Sequence, residues 1–271
     1  MAMENGDAER RFCDFGQLMT AASQPPELIV VQEVSPIGRK ALSSLVKCLG
    51  GNYTLSYQEG IYPDQPDQKD EQGLAVVTSL PVIRSQATKL LSGGNQAQIV
   101  ELGSRYSRLV LANVHFEAAP NKERLRHRKA GDLADELEDT YGGGPQIVAG
   151  DFNALPFFPT IRKMRSRGYT SAFESVHGRE PHFTFPTMDP EELLAGRYME
   201  HGEILKLRRV AKITSLLRRL REEIPHYTTD YIFLKHIPFP TKAELIAGKD
   251  KDSKPISDHM GLRVSLPRVA T

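Results

Sequence analysis

The chain has 271 residues, of which 39% are hydrophobic and 25% are charged, and its formal net charge at pH 7 is +1. These proportions argue against a mostly disordered chain, and the near-zero charge argues against a uniformly basic body of the kind that binds nucleic acid nonspecifically. Because a single core can grow to roughly 250–300 residues, we expect one domain over residues 1–271.

The N-terminal segment is polar, and the sequence contains no run of about 18 apolar residues. It predicts a protein without a signal peptide or membrane span that works inside the cell, in the cytoplasm or the nucleus. The two cysteines, Cys13 and Cys48, lack the spacing of metal ligands. The sequence predicts two free, at least half-buried thiols, which suits a reducing compartment.

Short runs rich in Val, Ile and Leu recur along the chain, and Gly, Pro, Asp or Asn bounds each of them. Such runs are typical of buried strands. Seven strands are predicted, over Leu28–Val34, Gly73–Leu80, Gln98–Leu102, Arg108–Phe116, Gln146–Asp151, Thr229–Leu234 and Met260–Leu266.

Three amphipathic segments predict helices, over Arg10–Ala22 before the first strand, Pro36–Leu49 after it and Lys122–Asp139. The second has Ser35 as its expected N-cap and Pro36 at its first position. Strands that alternate with helices in this order predict an α/β fold with two mixed β-sheets packed face to face and helices outside, a four-layered α/β sandwich.

Two segments interrupt this pattern. Residues 58–72 contain two prolines and no periodicity, which predicts a surface loop. Residues 188–224 predict a helical insertion whose helix, Glu203–Glu223, carries seven Lys and Arg side chains. Such a helix can lie on nucleic acid or an anionic membrane, or its long side chains can simply cover apolar surface.

Polar side chains occur where several predicted strands end. Glu33, His115 and Asp151 close three of the runs, Asn153 follows closely, and Asp230 opens another. Strand ends of a sandwich can converge on one edge, and Asp, Glu and Asn supply the oxygen ligands that magnesium prefers. The sequence therefore predicts a carboxylate-rich site.

Four motifs in this order resemble the endonuclease/exonuclease/phosphatase superfamily. They are Gln-Glu at 32–33, Gly-Asp-Phe-Asn at 150–153, Asp-Tyr-Ile-Phe at 230–233 and Ser-Asp-His at 257–259. Residues 73–81 and 113–116 are also similar to intervening strands of that superfamily, and residues 156–159 and 183–187 resemble its deadenylase-type or generic bacterial members. The resemblance implies the four-layered sandwich and metal-dependent cleavage of phosphate esters.

Carried over position by position, the resemblance implies that Glu33 binds magnesium, or manganese as the alternative, with Asp258 as a further ligand or close by. Asp151 would orient or deprotonate the attacking water, which Asn153 would hold. His115 and His259 would contact the scissile phosphate, and Asp230 would orient and charge His259 through a ring N–H.

The superfamily begins with a strand whose Asn is a metal ligand, and Asn5 is the candidate here, 28 residues before Glu33. Residues 1–6 make a poor buried strand, so the alternative is a frayed terminus and a shortened N-terminal strand. The expected partner is nucleic acid, RNA or DNA. The alternatives are a phosphatase or lipase of small or lipid phosphoesters, and a catalytically weakened binding form.

Overall fold

The computed structural model of the chain describes residues 5–21, 25–50, 52–60, 73–89, 96–104, 107–118, 120–185, 228–246, 257 and 259–267. The expected insertion at 188–224, with its basic helix, lies outside these ranges, as does most of the predicted loop at 58–72.

The described helices and strands follow one another in alternating groups. The helices are α1 (Asn5–Thr20), α2 (Pro36–Cys48), α3 (Glu123–Tyr141), α4 (Pro159–Ser166) and α5 (Ala172–His177). The strands are β1 (Leu28–Val34), β2 (Thr54–Gln58), β3 (Gly73–Thr78), β4 (Val82–Lys89), β5 (Gln96–Ser104), β6 (Ser107–His115), β7 (Gln146–Asp151), β8 (Thr170–Ser171), β9 (Asp230–Lys235), β10 (Lys242–Ile246) and β11 (Gly261–Ser265).

The strands form three sheets. The largest has six strands in the order β4-β5-β6-β7-β9-β8, with β6 and β7 parallel and the other pairs antiparallel. A second sheet, β1-β3-β2, is antiparallel throughout, and β10 and β11 form a separate antiparallel pair. Of the two large sheets, only the six-stranded one is therefore mixed.

The six-stranded sheet is buried on both faces. Alternate side chains of a strand point to opposite faces, and in β6 the buried Val110, Ala112 and Val114 pack with α3 and α4, while Leu109 and Leu111 pack toward the three-stranded sheet. On the far side of the three-stranded sheet, α1 and α2 cover a further apolar cluster. The layers are helix, sheet, sheet, helix, which confirms the predicted four-layered sandwich.

The seven predicted strands and three predicted helices are all present, with ends shifted by a few residues. Ser35 caps α2 as expected, its Oγ accepting the N–H of Gly38 at 3.0 Å. Strands β2, β4, β8 and β10 and helices α4 and α5 were not predicted. Both β2 and β4 contain several polar residues, Ser56, Tyr57 and Gln58 in β2, for example, and neither presents a continuous apolar run.

The cysteine prediction is wrong. Cys13 of α1 and Cys48 of α2 form a disulfide, with their Cα atoms 5.5 Å apart. The two helices pack closely where Gly16 faces Cys48, since a Cβ at Gly16 would lie 3.1 Å from the Cβ of Cys48. The sequence predicted each helix separately and could not show that their cysteines face each other.

Within the described residues no strand precedes β1, because the backbone over Asn5–Thr20 is helical. Among the described helices, none combines the length and the apolar character that a membrane span requires.

Candidate active site

The register of the six-stranded sheet aligns three of the predicted site residues. His115 at the end of β6 pairs with Asp151 at the end of β7, and Asp151 pairs with Asp230 at the start of β9. These positions share strand parity with Leu109, Leu111 and Ala149, which face the other sheet. The side chains of His115, Asp151 and Asp230 therefore face the gap between the two sheets at one end of it. We call this end the catalytic edge.

Gly150 permits the close contact of β6 and β7 next to these side chains. Its φ is 142°, and a Cβ built on it would lie 2.0 Å from the carbonyl oxygen of Val114. No side chain fits there, so a glycine before Asp151 is a steric requirement of this strand pair.

Asp151 is held in place by the turn that follows it. Its Oδ1 accepts the backbone N–H of Asn153 at 2.7 Å, and its Oδ2 accepts the Asn153 side-chain amide at 3.0 Å. The same amide donates to the carbonyl of Phe116 at 2.9 Å, which ties the turn to the chain after His115. Asn153 has a positive φ of 47°, a conformation that Asn tolerates better than most residues.

His259 joins the site through Asp230. Its Nδ1 lies 2.9 Å from Oδ2 of Asp230, which also accepts the hydroxyl of Thr229 at 3.1 Å. The buried Thr184 fixes the start of β9, because its Oγ1 accepts the N–H groups of Thr229 and Asp230 at 3.0 and 3.2 Å. The ring of Phe185 packs on the imidazole of His259, with ring centres 4.7 Å apart.

Glu33 reaches the site from the other sheet. Between Val31 and Val34, β1 contains one residue more than its partner β3, which is a β-bulge, and Glu33 has a positive φ of 56°. Bulges re-aim side chains and are over-represented next to active sites. Here the side chain is 53% exposed, and its Oε1 lies 3.4 Å from Nε2 of His115.

A buried amide network joins the two sheets directly behind Glu33. Asn113 of β6 accepts the side-chain amide of Gln32 at 2.7 Å and donates to the carbonyls of Val31 and Ala75 at 3.1 and 3.2 Å. Its amide also lies 3.3 Å from the side-chain oxygen of Gln98. Asn113 thus hydrogen-bonds the strand that carries the bulge to the strand that carries His115.

Burial shifts the ionisation of two site residues in opposite directions. It lowers the pKa of His115 to about 4, and the nearby His259 adds to the shift. It raises the pKa of Asp151 to about 8, and repulsion from the carboxylate of Asp230 contributes further. Both shifts favour the neutral form near pH 7, which is expected where like charges meet in a poorly solvated place.

The donor set fits a divalent cation. Asp151, Asp230 and His259 each offer a ligand atom, and these atoms all lie within 4.8 Å of one another. The carboxylate of Glu33 adds negative charge that disfavours ionisation of Asp151. A divalent cation would reverse this balance, since it favours ionised carboxylates. An oxygen-rich set with one imidazole and no thiolate suits magnesium or manganese better than a soft metal.

The structure brings together six of the eight predicted site residues: Glu33, His115, Asp151, Asn153, Asp230 and His259. Asp258 lies outside the described residues, and of Asn5 only the backbone, at the start of α1, is described. Sequence reasoning missed the supporting residues Thr184, Phe185 and Asn113. Residues 183–187 and 113–116 resemble segments of the superfamily, but nothing in their sequence indicates contact with the site.

Fold and site together define a phosphoesterase-type α/β sandwich of the DNase-I-like kind. Residues 5–259 match the sequence model of the Endonuclease/Exonuclease/phosphatase family, and the chain therefore belongs to that family. Membership supports hydrolysis of phosphodiester bonds in general. No curated protein matches the chain significantly.

Solved structures share this fold at low sequence identity. TDP2 from Caenorhabditis elegans is 14% identical, with a TM-score of 0.64 over 96% of this chain and 69% of that one. TDP2 from D. rerio, in complex with a single-strand DNA product, is 15% identical, with a TM-score of 0.66 over 97% and 92% of the two chains. An endonuclease/exonuclease/phosphatase family protein from Leptotrichia buccalis is 13% identical, with a TM-score of 0.66 over 97% and 94%.

Proposed function

We propose that the chain is a divalent-metal-dependent phosphodiesterase that cleaves RNA or DNA by attack of water on the phosphorus. The observation that carries this proposal is the Asp230–His259 pair, set within 4.8 Å of the buried Asp151. The pair resembles the orienting pairs of hydrolases, and Asp151 supplies a base beside it.

Asp151 is the proposed general base. It is positioned by two hydrogen bonds from Asn153, so its orientation does not depend on substrate. Its raised pKa makes it a stronger base than an exposed carboxylate once it is ionised. Asn153 would hold the attacking water and the phosphate oxygens.

The two histidines have different proposed roles. The Nδ1 of His259 is engaged by Asp230, so Nε2 would contact the phosphate, and the carboxylate would stabilise the positively charged ring as negative charge grows on the phosphate oxygens. His115 is buried and its lowered pKa keeps it neutral, so it would act as a hydrogen-bonding group and not as a charge.

A bound magnesium or manganese ion would polarise a phosphate oxygen and neutralise part of its charge. The group of Asp151, Asp230 and His259 could hold such an ion, but its proposed roles are toward water and phosphate. Glu33 is therefore the proposed principal ligand, since its carboxylate is half-exposed beside His115. Asp258 and Asn5 remain candidate ligands on the strength of the family motifs.

Nucleic acid is the proposed substrate. The D. rerio TDP2 structure, which has the same fold, contains a single-strand DNA product. A small or lipid phosphoester would use the same reacting groups, and a panel of substrates distinguishes the two classes.

The test is magnesium-dependent hydrolysis by the purified chain of single-stranded RNA, poly(A), nicked DNA, 5′-tyrosyl DNA, sphingomyelin and inositol phosphates, with His259→Ala as the control for contaminating activity. We expect cleavage of at least one nucleic acid that requires both the metal and His259. Activity on the lipid or the inositol phosphates alone would assign the chain to the alternative class. No metal-dependent activity on any substrate would contradict the proposal.

A further inference from the structure

An open groove of about 500 Å³ lies between the first turns of α3 and α4. It is lined by Glu123, Arg124, His127 and Arg128 of α3 and by Pro159 of α4. Residues 124, 127 and 128 are three and four positions apart, so their side chains share one face of the helix. The groove therefore combines two guanidinium groups and an imidazole on one wall.

The positive charge of this wall is not neutralised within the described part of the chain. Arg124 and Arg128 are exposed, and neither makes an ion pair or a hydrogen bond there. The one acidic residue that lines the groove, Glu123, already has partners. Its carboxylate accepts hydrogen bonds from the side chain of Arg126 and from the backbone N–H and hydroxyl of Thr160. The groove is thus suited to an anionic ligand.

The groove begins beside the catalytic edge. The parallel strands β6 and β7 end there, and α3 and α4 are the helices that follow them. Arg126 of α3 donates to the carbonyl of Glu117 at 2.7 Å, and the neighbouring carbonyl of Phe116 accepts the side chain of Asn153 at 2.9 Å. Two hydrogen bonds therefore connect the start of α3 to the turn that holds Asp151.

The segment that connects the turn at Asn153 to the groove at Pro159 carries an exposed aromatic side chain. Phe157 follows Asn153 by four residues, precedes Pro159 by two, and is 56% exposed. Its ring packs edge-to-face on Phe158, which in turn packs against the core under α3 and α4. A ring that is supported on one side and open on the other can stack on a planar ligand without losing much conformational freedom.

We propose that Phe157 and this groove form a binding subsite for a single-stranded nucleic-acid segment next to the scissile phosphate. Arg124 and Arg128 would contact backbone phosphates, and Phe157 would stack on an unpaired base. Basic grooves with exposed aromatic rings bind single strands in this way, whereas the bases of a duplex are already stacked on one another. The inference rests on the proposed function and names the part of the substrate that the chain holds.

Binding without cleavage tests the subsite separately from the reaction. The probe is a fluorescein-labelled oligothymidylate of about eight nucleotides, a length within the span of known single-strand sites. Its affinity for the full chain is measured by fluorescence anisotropy in EDTA, so that no hydrolysis occurs. Phe157→Ala should weaken binding by about 5- to 150-fold, the range for loss of one stacked base, and Phe157→Tyr should restore it.

The charge variant tests the phosphate contacts. In Arg124→Gln/Arg128→Gln the slope of log affinity against log salt should fall in magnitude by about 1.4, since each single-strand phosphate contact contributes about 0.7. Arg84→Gln/Arg167→Gln removes the same charge from exposed positions on β4 and after α4, and should keep the wild-type slope. Phe239→Ala, which removes a 75% exposed aromatic ring beyond the far end of β9, should bind as wild type.

Three results would overturn the subsite: no binding by the wild-type chain, wild-type affinity in Phe157→Ala, or an unchanged salt slope in the arginine variant. A fourth result would also overturn the subsite. If the arginine variant lost the binding to phosphatidylserine vesicles that the wild type shows, but kept its binding to the oligonucleotide, the groove would be a membrane contact. Failure of the proposed function would look different. A chain that binds the oligonucleotide through Phe157 but cleaves no substrate with magnesium would support the subsite and contradict the proposed phosphodiesterase activity.

Discussion

The Nδ1 atom of His259 lies 2.9 Å from Oδ2 of Asp230, although 29 positions separate the two residues in the chain. The contact orients the imidazole and would stabilise its charged form. His259→Ala and Asp230→Asn should each lower kcat by about 10²–10⁴-fold, the usual contribution of a positioned acid or base. Steady-state kinetics on the substrate identified by the panel checks this. Wild-type rates in Asp230→Asn would show that the carboxylate has no role in turnover.

Glu33 should respond differently to mutation, because its proposed role is to bind the metal. Glu33→Gln removes a carboxylate ligand, so half-maximal rate should require more magnesium, while the rate at saturating magnesium should approach that of the wild type. A titration of rate against magnesium, run beside His259→Ala, separates the two roles. Full recovery of His259→Ala at high magnesium, or none for Glu33→Gln, would reverse our assignments.

The raised pKa of Asp151 should make the metal-free protein less stable as the pH rises. The folded-state pKa is about 8 against an ordinary 3.8, so the folded state keeps a proton that the unfolded state has lost, and this stabilisation disappears as the pH rises toward 8. His115, with a folded pKa of about 4 against 6.5, has the opposite effect, most of which is present by about pH 6.5. Between about pH 6.5 and 8 the change due to Asp151 is therefore the larger of the two.

Urea unfolding in EDTA at the two ends of that window measures this difference. The wild type should lose free energy of unfolding between them, and Asp151→Asn, which cannot ionise, should lose less. Equal losses in the two proteins would mean that Asp151 is not the group responsible. Added magnesium should reduce the wild-type loss, because a cation favours the ionised carboxylate.

The Cys13–Cys48 disulfide should contribute to stability but not to catalysis. It closes a loop with a sequence separation of 35, for which the chain-entropy relation gives about 3–4 kcal/mol as an upper value. Cys13→Ser/Cys48→Ser should therefore lower the free energy of unfolding by about 2–4 kcal/mol and leave kcat unchanged. Denaturation with and without dithiothreitol checks this, since the reductant should destabilise the wild type and not the double variant. Equal stability of all samples would show that the bond does not persist in solution.

The sequence predicted those features of the site that depend on local pattern. Glu33, Asp151 and Asp230 each border a strongly apolar strand, so both the strands and the polar residues at their ends could be recognised. The one-residue bulge that turns Glu33 toward His115 could not, because it is defined only by pairing with β3.

The supporting residues were missed for the same reason. Thr184 accepts hydrogen bonds from the N–H groups of residues 229 and 230, which are more than forty positions away in the chain. Asn113 donates hydrogen bonds to carbonyl groups of β1 and β3. Such contacts depend on which segments meet in the folded chain, and neither residue type nor spacing encodes them locally. The prediction of two free cysteines was wrong for the same reason, because the disulfide depends on the packing of α1 on α2.

The buried amide of Asn113 has a consequence for how the protein would lose activity on warming. Glu33 belongs to the three-stranded sheet, whereas His115, Asp151 and Asp230 belong to the six-stranded sheet. Asn113 with Gln32 forms a hydrogen-bonded link between these two sheets directly behind the site. If the sheets slide or separate slightly at this link, the carboxylate of Glu33 leaves His115 even though each sheet keeps its own strand pairing. Enzymatic rate would then be a sensitive gauge of sheet-to-sheet alignment and would decline at temperatures where the secondary structure is still intact.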